Sequence, residues 1–123
     1  MPVIRERLKK LNPPPLRQLP IMIGGGGEKV TLRITAEHAT IWHGFGTVDG
    51  YAHKCAVLDE HCRTIGRDPE EVERSCSITA DSVTDIDALV AAGATLLVNG
   101  AGGPDYDLSI IRTLIAYRDR LNR

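Results

Sequence analysis

The 123-residue chain contains no apolar run near the roughly 20 residues that a helix needs to cross a bilayer. Its N-terminal stretch, with Arg5, Glu6, Arg7, Lys9 and Lys10, also lacks the apolar centre of a secretory signal. The expectation is a cytoplasmic chain with no membrane partner. Net charge is nearly absent too: the formal value is −1 and the pI is about 6.4. No global field therefore draws nucleic acid or anionic lipid, and any anion site must be local. Cys55, Cys62 and Cys76 are odd in number, have no C-x-x-C spacing and accompany no secretion signal, so reduced thiols are expected.

What the chain does have is enough length and apolar content for one domain with one core. It also has Ile21-Met22-Ile23 followed by Gly24, Gly25, Gly26 and Gly27, then Glu28 and Lys29. An apolar β-run, four glycines and a helix start together predict an anion cradle. Glycine permits positive φ and close backbone approach, while the free N–H groups and dipole of the next helix favour phosphate.

The first 19 residues read as a short basic helix ending at Leu11, then a connector stiffened by Pro13, Pro14 and Pro15. From residue 20 to 123, β-type runs at Ile21–Ile23, Thr40–His43, Arg74–Ile78 and Thr95–Asn99 alternate with helical patterns. Those patterns are Glu28 to about His38, Val48–Thr64 closed by Gly66, Asp85–Ala92 closed by Gly93, and Asp105–Leu121. Asp68-Pro69-Glu70-Glu71 combines an N-cap, a proline at N1 and a glutamate at N3, which marks a further short helical turn. In the long central helix Tyr51, Cys55, Leu58, Cys62 and Ile65 share the face expected to meet the core.

This alternation predicts an α/β fold with parallel strands and helical crossovers. Four β/α units amount to half of a (β/α)8 barrel. The tetraglycine and Asn99-Gly100-Ala101-Gly102-Gly103-Pro104 each follow a strand, so both loops are expected at the strands' C-terminal edge, where barrel sites are built. Gly100, Gly102 and Gly103 form a weaker candidate site, because a plain turn into the last helix explains them equally well. His53, His61, Cys55 and Cys62 include no i, i+4 pair, and Asp81, Asp85 and Asp87 lack an EF-hand's glycine and terminal glutamate, so no metal site is expected.

Pro20 to Arg33, Trp42-His43-Gly44-Phe45-Gly46, Leu58-Asp59-Glu60-His61-Cys62 and Gly66-Arg67-Asp68-Pro69, in that order, resemble the C-terminal half of luciferase-like, coenzyme F420-dependent oxidoreductases. The resemblance implies a (β/α)8 (TIM) barrel of which this chain carries the second half. It implies a phosphorylated deazaflavin, coenzyme F420, or alternatively FMN, passing hydride to or from a small organic substrate. It also implies a homodimer, or a second chain that supplies the other half of the barrel.

Carried over residue by residue, Gly24 to Gly27 line the cofactor phosphate and Glu28 and Lys29 stand at the helix start, Lys29 either lending charge or remaining solvated. Trp42, at the end of the next strand where many relatives have Ala-Asp-Gly-Trp-Asn, is implied as a further cofactor-binding residue. Thr40 here replaces the acid and Ile41 the glycine. His43 is the candidate catalytic residue, as a proton shuttle near neutral pH or simply a lining residue. No nucleophile motif is needed, because hydride chemistry belongs to the cofactor. The alternative is a non-catalytic assembly module that folds as an oligomer without turnover, since four parallel strands leave unpaired edges.

Overall fold

The computed structural model describes residues 1–123. Four strands, β1 (Met22–Gly24), β2 (Ile41–Gly44), β3 (Glu73–Ser77) and β4 (Leu96–Val98), form one sheet in the order β1-β2-β3-β4, with every pair parallel. The helices are α1 (Pro2–Lys9), α2 (Thr31–His38), α3 (Val48–Thr64), α4 (Ile86–Ala91) and α5 (Ser109–Leu121), with 3-10 turns at Pro69–Glu71 and Val83–Asp85.

The unreversed strand order has a consequence. Right-handed crossovers between successive parallel neighbours put every connecting helix on the same face of the sheet. The core therefore lies on that face: Leu32, Ala36, Trp42, Tyr51, Leu58, Cys76, Ile78 and Leu89 are buried between strands and helices. The other face carries Met22, Ile41, His43, Ser75, Ser77, Leu96 and Val98 by the period-two alternation of the strands. Such an arc with helices outside is the arrangement of a (β/α) barrel segment, and it has no topological switch point of the doubly wound kind.

Several element ends depart from the sequence expectation for physical reasons. Helix α2 begins at Thr31 rather than Glu28, because the carbonyl of Glu28 accepts a 2.7 Å hydrogen bond from His61 Nε2 on α3 instead of serving the helix. Helix α5 begins at Ser109 rather than Asp105: Tyr106 sits at φ 41° and Asp107 Oδ1 accepts from the Ser109 N–H at 2.9 Å. Helix α1 stops at Lys9 and contributes no buried residue. Ile65 lies just past α3 and is about half exposed, whereas Tyr51, Cys55, Leu58 and Cys62 are buried as the helical spacing predicts.

The Gly66–Pro69 segment is structural. Arg67 donates to the carbonyls of Ala36 and Ala39 at 2.7 and 2.8 Å, satisfying acceptors at the C-terminal end of α2. Asp68 Oδ1 accepts from the Glu70 N–H at 3.0 Å and starts the 3-10 turn. Arg74 is also buried on the helical face; it donates to Asp59 Oδ1 at 2.6 Å and to the carbonyls of Val72, Cys55 and Pro69.

Burial pushes the thiols of Cys55, Cys62 and Cys76 above their ordinary value of 9.0, and the Tyr51 hydroxyl above 10.0. A raised folded-state value gives a contribution that is complete below the ordinary value and is lost as pH rises through the folded one. The melting temperature is therefore expected to hold from pH 7 to about 9 and to fall above it. Ellman's reagent should find no fast thiol in the native protein and all three in denaturant; a rapidly titrating thiol at pH 7.5 would contradict this packing.

Candidate functional site

The tetraglycine loop leaves the C-terminal end of β1. Gly25 takes φ +126°, a conformation that side chains rarely adopt, and donates from its N–H to the His43 carbonyl at 3.3 Å. Its own carbonyl accepts the Trp42 indole N–H at 2.8 Å. Beyond this anchor the N–H groups of Gly26, Gly27, Glu28 and Lys29 donate to no backbone acceptor. A Cβ on Gly27 would come within 2.8 Å of Thr31 Oγ1, so the loop's curvature is closed to side chains there. These four consecutive donors, ahead of an eight-residue helix, are available to an anion.

Charge at this loop comes from α3. Lys54 runs its side chain across Gly26, whose added Cβ would lie 3.5 Å from Lys54 Cε, and Nζ ends 2.6 Å from Glu28 Oε1. His53 Nε2 is 3.1 Å from the same oxygen. The hydrogen bond from Lys54 holds the Glu28 carboxyl below its ordinary 4.5, so this tie persists above that value and is lost as pH falls through the lower one. Lys29, by contrast, is exposed and forms no ion pair.

Trp42 and His43 diverge because neighbouring strand residues point to opposite faces. Trp42 is 1% exposed and stacks on Tyr51 with ring centroids 5.3 Å apart, so it fixes the glycine loop from within the core. Its side chain offers no open surface to a ligand. His43 lies on the helix-free face between two serines of β3: Nδ1 is 2.8 Å from Ser75 Oγ and Nε2 is 2.9 Å from Ser77 Oγ. In either neutral tautomer one ring nitrogen donates to a serine oxygen and the other accepts from a serine hydroxyl. That arrangement can carry a proton from one hydroxyl to the other through the ring. Ser75 is buried and Ser77 is half-buried, which makes Ser77 the more accessible end.

The Gly100–Gly103 loop follows β4. Parallel pairing puts it at the same edge of the sheet as the tetraglycine, yet β2 and β3 stand between them, a separation of about 14 Å at ordinary strand spacing. Within one chain the two loops do not meet. Asn99 Nδ2 donates to the Ile78 carbonyl at 2.8 Å and pins the second loop's start. No group of three or more His, Cys, Asp or Glu side chains is disposed to hold a metal ion.

Lys54, Ser75 and Ser77 are absent from the sequence expectation. Lys54 is separated from Glu28 by 26 residues, and only the packing of α3 beside the loop joins them. The two serines carried a usable signal: they stand two apart on β3, a spacing that places both on one face of a strand.

No protein-family model and no curated protein matches the sequence. Among solved structures, the chain is similar to the coenzyme F420-dependent tetrahydromethanopterin reductase from Methanopyrus kandleri, with a TM-score of 0.57 and 13% sequence identity over 75% of this chain. The match takes in 48% of the reductase, so the chain spans about half the length of that structure. At this identity the likeness establishes a shared α/β fold of four parallel β/α units.

Proposed function

We propose that the chain contributes the cofactor-phosphate site of a luciferase-like, deazaflavin-dependent oxidoreductase, with coenzyme F420 as the cofactor and FMN as the alternative. The observation that carries this reading is the run of four free backbone donors from Gly26 to Lys29, bordered by Lys54. The likeness to an F420-dependent reductase supports it. In this reading the donors of Gly26, Gly27, Glu28 and Lys29 hold the phosphate, and Lys54 shares its charge between the phosphate and Glu28. The bound ring would supply hydride chemistry for an organic substrate. His43, connected through Ser77 to the open face, holds a proton at Nε2 or Nδ1 and delivers it to the substrate side.

Fluorescence titration with F420 and with FMN tests the site. Binding in the micromolar range is expected, and Lys54→Ala should weaken it about fivefold, equivalent to about 1 kcal/mol for a partly screened charge. Lys29→Ala should stay within about twofold. Failure of both cofactors to bind at high micromolar concentration would sink the reading. The second reading, an assembly module without turnover, draws on the helix-free sheet face. Hydride transfer from reduced F420 to carbonyl and enone acceptors separates the two.

A further inference from the structure

The folded chain exposes 8408 Å². A compact monomer of 13.4 kDa should expose about 6,500 Å². The excess, about 1,900 Å², falls in the range of roughly 1,000–2,500 Å² that each subunit contributes to an obligate homodimer. Part of it is the N-terminal arm, where Leu16 is fully exposed. Apolar side chains also stand exposed at the two edges of the sheet. Met22 is 49% exposed on β1, and Val98 is also exposed on β4. A groove of about 730 Å³ runs between β4 and α5, lined by Leu96, Val98, Ile111, Leu114, Ile115 and Leu121.

Strands β1 and β4 are each paired on one side only, so each presents a row of free N–H and C=O groups. Both edges belong to a parallel sheet with all its crossover helices on one face. The β4 edge of one copy can therefore accept the β1 edge of another as one more parallel neighbour. A two-fold axis that makes this contact once makes it twice, giving eight strands. Eight is the number at which a barrel closes with its interior filled by side chains.

We infer that this surface is occupied by a second copy of the same chain, and that the pair forms an eight-stranded barrel closed at two β4–β1 seams. Closure removes all four strand edges, encloses Met22, Ile41, His43, Ser77 and Val98, and lays the partner's first strand beside the β4–α5 groove. It also brings the Gly24–Lys29 loop of one copy beside the Gly100–Gly103 loop of the other at each seam. The two glycine loops that stand apart in one chain then border one composite site. The inference rests on the sheet and its exposed surface, independently of any cofactor.

Size-exclusion chromatography with light scattering, at tens of micromolar, tests it on these 123 residues. The expected mass is twice 13.4 kDa. Ile115→Lys, at an exposed position in the groove, and Met22→Lys, at the opposite edge, should each produce a monomer that keeps the native far-ultraviolet circular dichroism. A folded monomeric wild type overturns the inference, as does a dimer that persists in both variants. Recovery of the chain only in complex with a different polypeptide overturns it as well.

Discussion

Asp59→Ala is expected to remove about 3 kcal/mol of stability, the low end of the 3–5 kcal/mol typical when one member of a buried ion pair is deleted. The low end applies because the Asp59 side chain is about one-third exposed, whereas that of Arg74 is 10% exposed. Without Asp59, the guanidinium keeps only the carbonyls of Val72, Cys55 and Pro69 and has no carboxylate partner beneath α3. Against the 5–15 kcal/mol of ordinary domains this is a large fraction. Combining Asp59→Ala with Arg74→Met should recover much of the loss, since a well-packed apolar side chain relieves the unpaired charge. Urea denaturation of both variants measures this, and a loss below about 1 kcal/mol for Asp59→Ala would show that the carbonyls alone satisfy Arg74.

Gly44→Ala should couple the core to the glycine loop. A Cβ at this position would lie 2.5 Å from Trp42 Cη2 and 2.8 Å from Tyr51 Cε2. Both rings are buried and stacked, so neither can yield without repacking, at a cost of about 1–3 kcal/mol. Displacing Trp42 also strains its hydrogen bond to the Gly25 carbonyl, which anchors the loop. Cofactor affinity should fall together with the melting temperature. Gly100→Ala is the comparison, because that glycine has open space around it and no positive φ, and its cost should stay within about 0.5 kcal/mol. Equal melting temperatures for the two variants would refute the coupling.

The fold was legible because the sequence marks its own boundaries. Gly66 and Gly93 follow helices at positive φ, Thr47 caps α3 through a 3.2 Å bond from the Gly50 N–H, and the four apolar runs all become strands within one residue of the expected ends. Local chemistry decides such features, so local reading finds them. Of the candidate site, only the glycine loop lies within one stretch of sequence. The resemblance implies Trp42 as a cofactor-binding residue, whereas the alternation of β2 turns its ring to the helices and leaves His43 on the open face. The links from His43 to Ser75 and Ser77 depend on the β2–β3 register, and that from Glu28 to Lys54 on the packing of α3 beside the loop. Neither is written in any one segment.

In the proposed function the backbone from Gly26 to Lys29 binds the phosphate of a deazaflavin or flavin. The most direct test is a titration of the 15N-labelled protein with F420, followed by amide resonances. The largest shifts are expected on Gly26, Gly27, Glu28 and Lys29, and free inorganic phosphate should move the same four in the same direction. Saturable shifts elsewhere with these four unmoved would contradict it.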